Sequence, residues 1–478
     1  MAEGGPTLID TDICVIGAGS GGLSVAAGAS QMGARVVLLE KGEMGGDCLN
    51  YGCVPSKALL AAGHAAAAVR HAGRFGVRAT FGGIDGKVVY DHVESVIDAI
   101  RPLDSQERFE GLGVTVIREH GRFTGRDRVQ AGSTEICAKR FVIATGSSAA
   151  APPIPGLDGV PYLTNETLFS RDALPDRLII IGGGPIGVEM AQAHAQLGCK
   201  VTVLEMFSIM ANDDPELVDI VRQALVADGV ELLEGIKVNG VENSGGGIKV
   251  TVEQNGQNRV IDGSHILVAA GRRANVAGLD LEKAGVEYSP KGITVDRRLR
   301  TTNKKIFAIG DVAGGLQFTH VAGYHAGVVI KNALFRIPAK ADHATVPWVT
   351  YTAPELAQVG LSEKAAKEAG IAFDVLRWPF HENDRAQAER ATAGLVKAVV
   401  TPKGKILGCG IVGPGAGEHI QVWGLALTKG MKVGDLAQTI VPYPTLGEVS
   451  KRAAGSFFTP KLFSDRTRAI VRFLLKLG

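Results

Sequence analysis

Apolar positions along the chain gather into short unbroken runs that end on glycine, and one such unit occurs twice. In DICVIGAGSGG, starting at Asp12, an apolar run leads into Gly17, Gly19 and Gly22. The residues that follow, LSVAAGASQMGA, predict a small-residue helix packed closely on a sheet, and RVVLLE predicts a second strand ending on Glu40. Gly17 allows a tight turn, Gly19 lets the backbone approach a pyrophosphate, and Gly22 lets helix and strand pack closely. The helix N-terminus would face the phosphates, and Glu40 can hydrogen-bond ribose hydroxyls. Residues 178 to 205, LIIIGGGPIGVEMAQAHAQLGCKVTVLE, repeat that order with Gly182, Gly184, Gly187 and a terminal Glu205. The first glycine and the acid are 23 positions apart in both copies (40 − 17 and 205 − 182). Two such units imply two bound dinucleotides, and a flavin with a nicotinamide is the natural pair for moving electrons. An acid at the end of the second strand repels a 2′-phosphate, so Glu205 predicts NADH over NADPH.

Composition adds bounds. A chain of 478 residues is too long for one ordinary core, and two to four domains are expected. The 63 glycines show no collagen-like period and suit tight turns and close backbone approaches. A net charge of +2 argues against a nucleic-acid binder. MAEGGPTLIDTD lacks the basic-then-apolar pattern of a signal peptide, and no uninterrupted apolar run reaches the length of a membrane span. The chain therefore reads as a soluble, cytoplasmic protein.

That compartment bears on the six cysteines. Cys14, Cys137, Cys199 and Cys409 sit singly in or beside apolar runs, as small buried hydrophobes do. Cys48 and Cys53 instead form a pair in GGDCLNYGCVPSK, residues 45 to 57. Zinc would need about two more nearby ligands at suitable spacing, and none appear, so no metal site is expected. A structural bridge and a redox pair remain open, although cytosolic disulfides are seldom structural. The pair lies where VPSKALLAAGHAAAAVR predicts a helix, and a helix N-terminus lowers a thiol pKa. Elsewhere, NSGGGIKVTVEQNGQ at 243 to 257 predicts a polar hairpin.

These stretches, with ATGS at 144 to 147, KKIFAIGD ending at Asp311 and YTAPELAQVGLSE after residue 348, together resemble the flavin-dependent pyridine nucleotide-disulfide oxidoreductases. That family includes dihydrolipoamide dehydrogenase, glutathione reductase and mercuric reductase. The resemblance covers essentially the whole chain and implies an α/β fold. Two Rossmann-like dinucleotide-binding domains would be joined by a C-terminal α+β interface domain. The implied divisions are an FAD domain over 1–155, an NAD domain over 156–279, a central domain over 280–347 completing the FAD site, and a dimerisation domain over 348–478. It also implies a homodimer with FAD and NAD as cofactors. Cys53 would be the charge-transfer thiolate beside the flavin, and Cys48 the interchange thiol that attacks a disulfide or electrophile, small-molecule or protein-borne. Lys57 would lie near the flavin, paired with Glu189. Asp311 would hold the flavin's ribitol chain, with Gln317 to His320 adding contacts to the flavin. Gly121, Thr145 and Gly146 would touch the flavin nucleotide, and Gly271 the nicotinamide nucleotide.

One departure matters. The classical members close on His-Pro-Thr-x-x-Glu, whose histidine reaches the partner subunit's site and is oriented by the glutamate. Here the stretch reads Tyr443-Pro444-Thr445-Leu446-Gly447-Glu448. Histidine titrates near 6.5 and tyrosine near 10, so Tyr443 would be a poor proton shuttle at neutral pH. Mercuric reductases also carry tyrosine here, and ENDRAQAE at 382 to 389 resembles their segment. They add a vicinal cysteine pair near the C-terminus, whereas this chain has no cysteine after Cys409, and no separate N-terminal metal-binding module is expected. The expectation is a mercuric-reductase-like branch lacking the metal-delivery thiols. It would reduce a thiol-type acceptor or, alternatively, mercuric ion, or a quinone directly at the flavin. The tail KLFSDRTRAIVRFLLKLG can form a helix with Ile470, Phe473, Leu474 and Leu477 on one side and Arg468, Arg472 and Lys476 on the other. It could dock on its own dimer or make peripheral contact with an anionic membrane.

Overall fold

The first apolar run becomes a central strand in the parallel part of a mixed sheet. Strands β1 (Thr7–Ile16), β2 (Val36–Leu39), β3 (Val114–Ile117), β4 (Gly121–Gly125), β5 (Arg128–Ala131) and β6 (Thr134–Ile143) lie in the order β3-β2-β1-β6-β5-β4, and Ile306–Ala308 also pairs with β6. β3, β2, β1 and β6 run parallel, whereas β4, β5 and β6 form an antiparallel meander. Ile13, Cys14, Val15 and Ile16 are all buried, because both faces of a strand in such a sheet are covered. Helix α1 (Ser20–Gln31) follows the glycine turn and buries Gly22, Leu23, Val25, Ala26 and Ala29.

The computed structural model describes residues 7–477, so the first six residues of the stretch read for a leader lie outside it. The chain divides into two units, one built from residues 1–182, 197–199 and 237–342, the other from 183–196, 200–236 and 343–478. Besides the large sheet, the first unit holds Arg177–Ile181, His265–Val268 and Tyr162–Leu163 in parallel register. It also holds an antiparallel meander of Lys237–Ser244, Gly247–Gln254 and Gln257–Gly263. The hairpin expected at 243 to 257 is part of this meander, turning at Gly245 and Gly246, both at positive φ.

In the second unit, Lys200–Leu204 pairs in parallel with Glu231–Leu233, beside the helices Pro185–Gln196 and Pro215–Ala227. The rest is an antiparallel five-stranded sheet in the order Pro347–Thr350, Glu355–Gly360, Ile406–Gly413, Leu395–Val400, Asp374–Pro379. The helices Ala416–Lys429 and Glu448–Ser456 share its core, where Trp423 is fully buried and donates its indole N–H to Ser450 Oγ at 3.1 Å. Among the described residues no helix is long and apolar enough to cross a membrane, and no cluster of His, Cys, Asp and Glu is placed to hold a metal ion.

Candidate active site

The two glycine turns are built alike. Gly17 has φ +104° and Gly182 φ +109°, a region that favours glycine. A Cβ at Gly17 would stand 2.5 Å from the Ala144 carbonyl oxygen, and one at Gly182 2.5 Å from that of Ala269. In each turn the residue after the first glycine donates its N–H to the strand-end acid: Ala18 to Glu40 and Gly183 to Glu205, both at 2.6 Å. Each acid takes one more N–H two residues on, from Gly42 at 2.7 Å and from Phe207 at 2.9 Å. Both carboxylates are thus held beside their turns, where a ribose would lie.

The turns also differ. A Cβ at Gly22 would lie 1.9 Å from the Gly17 carbonyl oxygen, so α1 can start only with glycine there. Gly187 is buried in the helix Pro185–Gln196. Gly45 donates its N–H to the Ala18 carbonyl at 3.0 Å, and a Cβ on Gly46 would meet Gly19 Cα at 2.8 Å. The cysteine segment is therefore stitched onto the first turn.

That segment forms α2 (Gly46–Asn50) and α3 (Cys53–His71). Cys48 lies inside α2 and Cys53 is the first residue of α3, at the positive end of its dipole. Thr319, at the start of the helix Thr319–Ala333, places its hydroxyl 3.2 Å from Cys48 Sγ and 3.4 Å from Cys53 Sγ. A hydrogen bond from Cys48 pulls Cys53 down to about 6, with help from Thr319 and the Lys57 charge and against the effect of burial. The same bond, with burial, pushes Cys48 far up. Both shifts favour the proton on Cys48 and the thiolate on Cys53 in the reduced pair.

A polar network fixes this corner. Ser147 Oγ donates to Asp311 Oδ2 at 2.5 Å, and Arg272 donates to Ser147 Oγ and to its carbonyl, both at 2.7 Å. Arg272 also pairs with Asp47 at 3.2 Å, and Asn165 donates to the other Asp47 oxygen at 2.8 Å. Burial pushes the Asp311 carboxyl up, while Ser147 and Arg272 pull it back. His325 Nδ1 accepts the Gly310 N–H at 3.2 Å and so supports the Asp311 turn. Sequence reading missed Arg272, Asn165 and His325, and it held Ser147 only within ATGS and Thr319 only within the 317–320 stretch expected at the flavin; the partner each one meets depends on the fold.

The remaining expected residues are placed as follows. Gly121 is buried, where a Cβ would meet Leu39 Cδ1 at 2.6 Å. Thr145 Oγ1 donates to the Asn275 carbonyl at 2.7 Å. Gly146 has φ +67° and Gly271 φ +141°, both with open space at the Cβ position. Gln317 is exposed, and the His320 ring stacks on Phe318 at 5.3 Å. In the second unit, buried Glu189 accepts the Tyr351 N–H at 2.9 Å. Tyr443 is 69% exposed and donates its hydroxyl to Asp384 at 2.7 Å, a bond that pushes its pKa further up. Asn383 donates to the Thr445 carbonyl at 3.0 Å, so ENDRAQAE directly supports the tyrosine turn. Glu448 accepts two bonds from Arg452, at 2.9 and 2.7 Å. Tyr443 and Glu448 therefore each have another partner.

The residues fit the dinucleotides on geometry alone. Gly19 and Gly184 leave open the space a Cβ would fill, and no side chain caps the first turn of α1, whose N–H groups are available to an anion. Two such turns and a dithiol define a nicotinamide- and flavin-dependent dithiol–disulfide oxidoreductase. The model of the pyridine nucleotide-disulphide oxidoreductase family matches residues 11–326, and that of the family's dimerisation domain matches 346–454. The chain is 37% identical to a mercuric reductase of Bacillus cereus, over 94% of this chain and 72% of that one. It is 36% identical to a dihydrolipoyl dehydrogenase of Geobacillus stearothermophilus, over 94% and 97%. A solved structure of the HOCl-induced flavoprotein disulfide reductase RclA from Escherichia coli, as its Cu(II) complex, superposes with a TM-score of 0.83 at 28% identity, over 92% of this chain and 99% of that one. The chain belongs to the pyridine nucleotide-disulphide oxidoreductase family. It is a flavoprotein oxidoreductase that uses FAD and a nicotinamide and carries the family's dimerisation domain.

Proposed function

We propose that the protein takes electrons from NADH into a Cys48–Cys53 disulfide and delivers them from Cys48 to a thiol-reactive acceptor. Bound FAD supplies the two-electron relay between the nicotinamide and the disulfide. Gly17, Gly19, Gly22 and Glu40 would hold its nucleotide end, with Asp311 at its ribitol chain. Gly184 and Glu205 would hold NADH; exposed Met206 and Phe207 follow Glu205, and neither could neutralise a 2′-phosphate.

Two electrons and one proton break the Cys48–Cys53 bond and leave the Cys53 thiolate and the Cys48 thiol. The observation that carries the reading is the Thr319 hydroxyl within reach of both sulfurs, with Cys53 as the favoured thiolate. Cys48 keeps its proton and must lose it to react. Tyr443, raised by Asp384, is no base at neutral pH, and Glu448 is engaged by Arg452. This favours an electrophile or thiophilic metal ion, which displaces the thiol proton by binding sulfur, over a dialkyl disulfide, whose leaving thiolate needs an acid. The likeness to mercuric reductases and to a Cu(II)-bound reductase supports a metal ion as one such acceptor. Reduction of mercuric ion to the metal consumes both electrons and restores the disulfide.

The test is NADH turnover by the FAD-loaded protein with lipoamide, glutathione disulfide, mercuric ion, cupric ion and a quinone, beside Cys48→Ala. Turnover of a metal ion or electrophile that Cys48→Ala abolishes is expected. Activity that survives the substitution would mean that electrons leave directly from the flavin.

A further inference from the structure

The dimerisation-domain match stops at residue 454, yet the chain continues through a short turn at Thr459–Leu462 into a helix at Asp465–Leu474. The helix is well signalled locally. Ser464 caps it by accepting the Thr467 N–H at 3.3 Å, Asp465 lies in its first turn and Arg472 in its last. None of its residues is buried, although isolated helices below about 12–15 residues are marginal in water. Ile470, Val471, Phe473, Leu474, Leu475 and Leu477 are between 48% and 75% exposed.

Turned at 100° per residue and continued past the helix end at Leu474, those side chains cover one broad face that Arg466 interrupts in the first turn, while Arg468, Arg472 and Lys476 recur every fourth residue along the other. From residue 459 onward there are five cations and one acid, a net +4. The whole chain is +2, so everything before the tail nets −2. The single acid, Asp465, already faces Arg468 at 3.7 Å. The polar row carries three cations against one acid, Asp465, and borders a wide apolar face. That arrangement complements a surface apolar beneath and anionic at its rim.

We propose that the tail binds the surface of an anionic lipid bilayer. The Ile470–Leu477 face would sink among the upper acyl chains, and Arg468, Arg472 and Lys476 would meet lipid phosphates. The helix is too short to span, so it lies in the interface. Bound this way, it would bring the dithiol enzyme to the membrane without entering its chemistry.

The experiment is co-sedimentation of the FAD-loaded full-length protein with two kinds of vesicle. One is pure phosphatidylcholine; the other carries roughly 30% phosphatidylglycerol, which gives it the negative surface potential of an anionic leaflet. Sedimentation with the anionic vesicles only, reversed by high salt, is expected. Ile470→Glu with Leu474→Glu should stay in the supernatant. Arg468→Gln, Arg472→Gln and Lys476→Gln together should weaken partitioning about a hundredfold, at roughly fivefold per cation. Dimer mass by light scattering and NADH turnover should be unchanged in both variants. Wild type that sediments no more with anionic vesicles than alone overturns the proposal. So does loss of dimer mass in the Ile470→Glu/Leu474→Glu variant with vesicle binding intact, which would seat the tail on a second copy of the chain.

Discussion

The corner around Cys48 and Cys53 and the turn from Tyr443 to Glu448 make an instructive contrast. At the first, each group has a partner that serves one purpose: Thr319 reaches both sulfurs, and the Ser147–Arg272–Asp47 chain holds the segment in place. At the second, the residues standing where the family keeps its acid and base are bonded elsewhere, Tyr443 to Asp384 and Glu448 to Arg452. On the proposed reading, the first region would store two electrons, and the second would not handle protons by the usual route. The difference narrows the acceptor more than it questions the relay.

Removing the interchange thiol should have the largest effect. Cys48→Ala is expected to lower turnover of the physiological acceptor by on the order of a thousandfold or more, with FAD content unchanged. Next comes the nicotinamide turn: Glu205→Gln should lower kcat/KM for NADH by about tenfold, the worth of a charge-assisted bond, and narrow the preference over NADPH. Glu40→Gln should instead weaken FAD retention, read by flavin fluorescence after gel filtration.

Thr319→Val sharpens the contrast from the dithiol side. In the wild type the Cys53 thiolate persists at neutral pH and is lost as pH falls through about 6, because its pKa is lowered. Without the hydroxyl that midpoint should rise by about 1 unit, the worth of one bond to a charged group. Absorbance of the thiolate in the reduced protein reports it, and turnover lost at neutral pH should return at higher pH. The smallest effect is expected at the other pole. Tyr443→Phe removes an exposed bond and should change turnover of a metal or electrophile by less than about threefold. A far larger loss would show that the tyrosine handles protons after all.

The two glycine turns were legible because strand, glycines, helix and acid lie within about two dozen residues, where local sterics decide the outcome. Even so, the pattern did not reveal that Glu40 and Glu205 also tie down their own turns through Ala18 and Gly183. Thr319 was illegible for another reason. It is 271 residues from Cys48 and 266 from Cys53, and a lone threonine at the start of a helix carries no signal of a sulfur partner. Asp384 and Asn383 were quoted only as part of a resembling segment; their bonds to Tyr443 and Thr445 needed the fold. The tail's amphipathic pattern was plain in the sequence, whereas its lack of any buried residue was not, since periodicity shows a face and not what covers it.

The most direct test of the relay is anaerobic alkylation mapping of the FAD-loaded protein before and after one equivalent of NADH. Cys48 and Cys53 should both resist alkylation in the oxidised protein and both become reactive once NADH is consumed. Thiols that react equally well before reduction, or that stay blocked after NADH has been oxidised, would contradict a Cys48–Cys53 relay.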